Sequence, residues 1–432
     1  MDTELTYADA RRNQALLIAD LVLFGLGLAF LAPSTVLPAL IRRLGGSPMA
    51  VGCLALISSA GWMLPSLAAS RSVHGRPLVK GSVLVPMVIS RLAMVPLVGA
   101  AAYLALRAPG LAAAAVLLTY AFLIVGDGFC VGWYDLVAKA ASPEERGRML
   151  GLGSSLSSLF AAGAGLVITA VLAQNWPFPR GNVLLLALSL PFLLASPVAV
   201  ALYREPRAQT STPALSWGEY WPRLVAIARH DRRFVWITGT RWLMSLMDMA
   251  SPFYVLYALE RLRVPLQMPG LFATASVLGG LAGGLLIGRL DARWGAARSV
   301  GIVVLLRAVC PFLALTAPLT LRSAPWSPVP LFLLLFFLSG LAGSGAMAAF
   351  VGYLTGIAPE GDRAAYGGLS GTLIGVLGLL LPAPLLAGWL VQVASYEVLF
   401  GLTLLIAIAG LGLALRAPRP AGEALPGGVA AP

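Results

Sequence analysis

The chain is poor in charge and in the side chains that do chemistry in water. Only 11% of its 432 residues are charged, against about 25% in ordinary soluble domains, while 59% are hydrophobic and mean hydropathy is +0.86. A soluble globular protein is excluded, and so is a disordered chain except at its ends. There are three cysteines and two histidines. Cys53, Cys130 and Cys310 sit in apolar stretches and His74 and His230 in charged loops, which argues against a disulfide framework or a His/Cys metal site. No Gly-x4-Gly-Lys-Ser/Thr phosphate loop is present, nor a soluble domain large enough to hydrolyse ATP. What the chain does have is glycine, 47 residues, and proline, 31, placed inside long apolar runs, where membrane helices tolerate them. The net charge of +12 lies almost wholly in Arg of the short loops between those runs. That distribution reads as membrane topology and not as nucleic-acid binding.

A membrane helix needs roughly 20 mostly apolar residues. Cutting the chain where charges or Pro/Gly clusters interrupt such runs gives twelve spans: 16–38, 49–69, 81–105, 110–134, 148–173, 182–203, 234–258, 268–288, 299–319, 329–353, 367–391 and 396–415. The first is too long for a signal-peptide core and is read as a permanent span. With the N-terminus cytoplasmic, the inside segments hold 20 Lys and Arg and the outside loops 7, which puts both termini in the cytoplasm and the protein in the plasma (inner) membrane. The expected organisation is an N-terminal six-helix lobe over 1–205, a cytoplasmic inter-lobe linker over 206–232, a C-terminal six-helix lobe over 233–418 and a disordered tail over 419–432. In the linker, Ser216 and Glu219 have capping-box spacing. Trp217, Tyr220, Trp221, Leu224 and Ile227 recur at helical intervals beside Arg223 and Arg229, predicting a short helix on the inner membrane surface or, in the plainer reading, a solvated linker.

The two halves repeat. Span four runs into Val131-Gly-Trp-Tyr, Pro143-Glu-Glu-Arg and Gly151; span ten runs into Val351-Gly-Tyr, Pro359-Glu-Gly-Asp-Arg and Gly367. The same order in the same loop of each half indicates a duplicated six-helix unit. Glycines cluster on spans five, eight and eleven, and Gly151, Gly163, Gly280, Gly284, Gly371 and Gly375 are expected to pack one lobe against the other.

Twelve spans in a 6+6 arrangement, a long middle loop and a charged loop after span eight resemble the major facilitator superfamily, over about residues 15 to 416, and within it a poorly characterised bacterial branch. Its gating-loop motif, Gly-x-Leu-Ala-Asp-Arg-x-Gly, is similar to Gly288-Arg-Leu290-Asp291-Ala292-Arg293-Trp-Gly295, followed by Arg298; the acid sits one place early and Ala292 occupies its usual position. The first-half loop, 70–77, keeps basic charge and one Gly but no acid. Span four lacks the buried Arg of many proton-coupled members, and span five lacks the Gly-Pro pair of many drug antiporters. The resemblance implies an all-α fold of two pseudo-symmetric six-helix bundles with spans one, four, seven and ten around a central cavity.

An ionisable residue inside a span costs about 3 kcal/mol and needs a partner, a wet cavity or the interface. Asp20, Arg91, Asp127, Arg241, Asp248 and Arg307 are such residues. Asp127 and Arg241 lie at similar depth, roughly 8 to 10 Å from one membrane edge, and are expected either to pair across the lobes as an inner gate or to bond each within its own lobe. Asp248, flanked by Met244, Met247 and Met249, is the leading carboxylate for proton coupling, with a satisfied structural Asp as the rival. Asp20 is expected to reach either the cavity or the wet interface. Arg91 and Arg307, equivalent in the two halves, are expected to brace each lobe. Tyr120, Tyr134, Tyr254, Trp242 and Tyr353 lie on the cavity-lining spans, where packing is the commoner role.

The function read from these features is secondary transport of a small or amphipathic solute by alternating access, driven by a proton gradient, with lipid or lysolipid movement and uniport as rivals within transport. A non-transporting sensor and a membrane-embedded enzyme are the rivals outside it, and the scattered acids and absence of intramembrane His argue against the enzyme. No cofactor, metal or nucleic-acid partner is expected, and the chain is read as a monomer in the bilayer.

Overall fold

The computed structural model of the protein describes residues 7–73, 76–174, 176–206, 217–323, 328–358, 363–416 and 418, and every regular element among them is helical. Spans two, three, five and six are single helices, Pro48–Val73, Lys80–Leu104, Pro143–Ala173 and Arg180–Leu202. So are spans eight, nine, ten and twelve, Met268–Trp294, Ala296–Ser323, Val329–Ile357 and Tyr396–Ala414. The other four spans are broken. Span one bends between Tyr7–Leu31 and Val36–Arg43, and span four between Pro109–Gly128 and Trp133–Ala140. Span eleven bends between Arg363–Leu380 and Ala383–Val393. Span seven is cut by a 3-10 turn at Asp248–Ala250 into Arg232–Met247 and Ser251–Glu260, so eleven helices are long and apolar enough to cross a membrane and the twelfth crossing is made in pieces. No strand occurs among the described residues.

Helix packing repeats six spans later. Span one packs on spans five and six, span four on spans two and three, and span three on span six. The same pairs recur as seven on eleven and twelve, ten on eight and nine, and nine on twelve. The lobes meet where span two crosses span eleven and span five crosses span eight. The named contacts between them cluster at one end of the molecule. There Arg42 Nε donates to Glu260 Oε1 at 2.7 Å, and Tyr396 Oη donates to Glu260 Oε2 at 2.7 Å. We call this the closed end. Both described chain ends, and residues 206 and 217 that flank the connection between the lobes, lie at the opposite end, away from these contacts, which we call the open end for contrast.

Glycine contacts decide which backbones approach. A Cβ at Gly283 would sit 2.8 Å from the backbone carbonyl carbon of Leu341 on span ten, whereas at Gly284 it would meet nothing within 4 Å. Gly283→Val is therefore expected to separate spans eight and ten, with loss of monodisperse protein on size exclusion and a lowered unfolding temperature, while Gly284→Val behaves as wild type. A normal Gly283→Val profile would count against that contact. Of the glycines expected between the lobes, only Gly375 meets the other lobe, at Met63 of span two. Gly280 faces Ser344 within its own lobe, and Gly151, Gly163, Gly284 and Gly371 face open space. The inter-lobe glycines are instead Gly52 against Pro384, Gly388 against Pro48, and Gly165 against Gly270 and Thr274.

At the open end, Glu205 accepts from the backbone N–H of Val79 (2.7 Å) and of Lys80 (2.8 Å) and pairs with Lys139 at 2.5 Å. Tyr203 Oη donates to Leu136 O at 2.9 Å. These bonds tie the ends of spans three, four and six together. The helix expected in the linker is present as Trp217–His230, against spans seven and eleven. Ser216 and the tail 419–432 lie outside the described residues, as do the side chains of Trp217, Glu219, Tyr220, Trp221, Arg223 and Leu224.

Candidate functional site

A cavity of about 140 Å³ opens in the N-terminal lobe, lined by Asp20, Leu21 and Phe24 of span one, Trp62 of span two, Met87 and Arg91 of span three, and Asp127, Cys130, Trp133 and Tyr134 around the break in span four. The break follows from close packing. Gly128 lies so near span two that a Cβ there would be 2.6 Å from Trp62 O, and the helix restarts only at Trp133. Restarting there turns Trp133 and Tyr134 into the cavity, their rings 5.6 Å apart and nearly perpendicular.

Asp20 is buried, so it does not reach the wet interface. Its Oδ2 accepts from Trp133 Nε1 at 2.8 Å and its Oδ1 from Ser196 Oγ at 2.6 Å; it makes no ion pair among the described residues. Beside it, Arg91 donates to Asp127 Oδ1 at 2.5 Å and to Ser90 Oγ at 2.9 Å, with its guanidinium 5.5 Å from the centre of the Phe24 ring. The side chains of Arg91 and Asp127 are 1% and 8% exposed. The ion pair uses one arm of each partner, so Arg91 Nε and Asp127 Oδ2 have no hydrogen-bond partner among the described residues. Asp127 and Arg241 thus do not form the expected cross-lobe gate. Similar depth placed them at one height, but Arg91 reaches Asp127 from the adjacent span of the same lobe.

In the C-terminal lobe, Arg307 pairs with Asp248, the bracing expected of both span-three and span-nine arginines, with Asp248 supplied by span seven at its 3-10 turn. The Asp248 side chain is 56% exposed and that of Arg307 15%. Arg241 stands seven residues before Asp248 on the same helical face and has no ion-pair or hydrogen-bond partner among the described residues. Of Tyr120, Tyr134, Tyr254, Trp242 and Tyr353, Tyr134 alone lines the cavity. Tyr120 bonds to Ser58 at 2.9 Å, Tyr254 stacks on Phe400, Tyr353 packs against Trp236, and Trp242 lies against the core of the closed end.

The motif after span eight is partly helical. Gly288 faces open space, Leu290 packs in the core, and Arg293 and Arg298 are exposed. Gly295 turns the chain at φ +84°, a conformation that a side chain would strain, and its N–H donates to Asp291 O at 2.9 Å. The Asp291 carboxylate lies against span ten, where a Cβ at Gly352 would be 2.7 Å from Oδ2. Among the described residues no group of three or more His, Cys, Asp or Glu could hold a metal ion. Sequence reading missed Trp62, Trp133 and Ser196 as site residues. Trp133 stood in the repeated Val-Gly-Trp-Tyr segment, a usable signal, whereas nothing marks Ser196 among the serines of span six.

Residues 243–431 match the family model described as Major Facilitator Superfamily. Over the whole length, the structure superposes on solved transporters. The chain has the major facilitator fold. One such structure is a bacterial homologue of the iron transporter ferroportin in its inward-facing state, with TM-score 0.69 and 17% identity, covering 96% of this chain and 99% of that one. A D-xylose–proton symporter gives TM-score 0.68 and 15% identity, covering 95% and 99%. The nucleoside transporter NupG gives TM-score 0.69 and 12% identity, covering 95% and 99%. No curated protein matches the chain. In this major facilitator fold, the Asp20–Arg91–Asp127 constellation sits in a cavity whose described lining belongs wholly to the N-terminal lobe.

Proposed function

We propose that the chain is a secondary transporter that carries a small solute between its lobes by alternating access, and that a proton taken up at Asp20 couples the movement. The observation that carries this reading is the buried Asp20 at the cavity, held by two neutral donors, Trp133 and Ser196, and by no cation. A carboxylate so placed exchanges a proton without breaking an ion pair. Asp127 and Asp248 cannot do so, because each is paired with an arginine. The loop charge bias supports assigning the open end and both termini to the cytoplasm of a cell's inner membrane.

The test is accumulation in proteoliposomes under an imposed pH gradient, screened with labelled sugars, amino acids, organic acids and organic amines. Asp20→Asn is expected to abolish gradient-driven accumulation while one-for-one exchange of the same solute across the membrane persists. Wild-type accumulation by Asp20→Asn would remove Asp20 from coupling, and absence of any flux in the wild-type protein across the panel would remove the transport reading.

A further inference from the structure

The chemistry of the cavity selects its solute. Its walls are mostly apolar, and its ionisable members are two carboxylates and one guanidinium, a net charge of minus one. The positive member is already engaged, since Arg91 is held by Asp127 Oδ1 and Ser90 and lies over the Phe24 ring. The free valence is therefore on the acid side. Asp127 is a wall residue whose side chain is 8% exposed; its Oδ2 accepts no hydrogen bond from any described residue and is itself closed to solvent, so a ligand in the cavity reaches it by a turn of the carboxylate. A buried carboxylate oxygen left without a donor is costly, and a donor supplied by a ligand removes that cost. Four aromatic rings line the same space, Phe24 beneath Arg91 and, beyond it, Trp62, Trp133 and Tyr134. Trp133 is fixed by its bond to Asp20 and by its perpendicular contact with Tyr134. Ring faces beside an acid attract a cation and its hydrocarbon together, and repel an anion. Size sets the upper limit: a cavity near 150 Å³ holds about one benzene ring.

We propose that this cavity binds a small, mostly apolar amine in its protonated form, the ammonium N–H donating to Asp127 Oδ2 and the hydrocarbon lying against Trp62, Trp133 and Tyr134. This rests on the cavity being the solute site and names the class of solute. A quaternary ammonium satisfies the rings but not the oxygen, a neutral alcohol the oxygen but not the charge, and a carboxylate neither.

The experiment is calorimetric titration of the full-length protein, purified in detergent at pH 7, with cyclohexylammonium, cyclohexanol, cyclohexanecarboxylate and tetramethylammonium. Cyclohexylammonium is expected to bind at least about tenfold more tightly than its isostere cyclohexanol, with tetramethylammonium between them and no heat from the carboxylate. Asp127→Asn should remove most of the preference for the amine over the alcohol. Because that change also strips Arg91 of its partner, Trp62→Leu is the second variant: Trp62 is half-exposed and makes no side-chain hydrogen bond among the described residues, so folding is spared while both ligands lose apolar contact and the amine, which also loses a ring face, loses more affinity than cyclohexanol. Equal affinity for amine and alcohol, tighter binding of the carboxylate, or an amine affinity unmoved by both variants would overturn the proposal. Binding in detergent needs no flux, so an amine that binds with this selectivity but is never carried in proteoliposomes removes the transport reading and leaves the ligand class. A carried solute with no amine preference does the reverse.

Discussion

Alanine in place of Asp127 is expected to destabilise the N-terminal lobe by about 3–5 kcal/mol, because it leaves the guanidinium of Arg91 charged and unpaired in the span interior. The water that would otherwise rescue such a cation is shut out, since the Arg91 side chain is 1% exposed. Arg91→Ala should cost a similar amount by stranding the acid. The double change Arg91→Met with Asp127→Leu should recover most of the loss, since a buried pair replaced by apolar residues of like volume is often neutral. The measurement is the unfolding temperature in detergent of all three variants. The same cut in the other lobe is expected to destabilise as well: Asp248 is 56% exposed, but the Arg307 it would strand is only 15% exposed and its Nε is buried without a hydrogen-bond partner among the described residues, so Asp248→Ala also leaves a guanidinium unpaired in the span interior. A wild-type unfolding temperature for Asp127→Ala, or no rescue by the double change, would sink the assignment of this pair as a brace.

The second large effect is expected at the closed end. A Cβ at Gly388 would lie 2.5 Å from Pro48 O and 2.8 Å from Met49 Cα, and one at Gly52 would lie 3.2 Å from Leu385 Cα. These are backbone contacts, so no side chain can swing aside. Gly388→Val and Gly52→Val should therefore hold spans two and eleven apart, leave each lobe folded on its own core, and stop transport by favouring the state in which this end is open. Leu40, buried between the lobes' ends in Val36–Arg43, reports that state. In a background without Cys53, Cys130 and Cys310, Leu40→Cys should react with a membrane-impermeant maleimide in the valine variants and stay protected otherwise. Gly371→Val, where the added carbon meets nothing, is the control. Protection of Leu40→Cys together with normal flux in Gly388→Val would show that the contact does not hold the end shut.

The spans were legible because crossing hydrocarbon demands about 20 apolar residues whatever the function; the helices cover every span read, and the largest misses are polar ends beyond the hydrocarbon, as where span one starts at Tyr7 and not 16. Breaks were less so. Asp248–Ala250 interrupts span seven where Pro252, four residues on, cannot donate to Asp248 O, but spans two, three, six and nine carry prolines inside unbroken helices, so a proline alone did not mark the break. Pairing was legible in height and not in azimuth. Counting along a helix set Asp127 level with Arg241, but which neighbour stands beside it depends on the rotation of span three, which one chain does not state. The same limit applied to glycine: Gly283 and Gly284 are adjacent in every pattern, and one touches backbone while the other faces open space. The solute wall was half legible, through the unusual acids and the Trp-Tyr segment after span four, and its serine partner was not.

Glu205 gives the linker between the lobes its mechanical character. By holding Val79, Lys80 and Lys139, it makes Pro206 the last residue anchored to the first lobe, and the helix from Trp217 already rests on the second. Eleven peptide links separate them. Drawn out, that length reaches about 36–40 Å, more than the thickness of the hydrocarbon itself. The named close approaches between the halves are the glycine crossings at the far side of the membrane, and those contacts, not a chain of that reach, set where the two halves pivot.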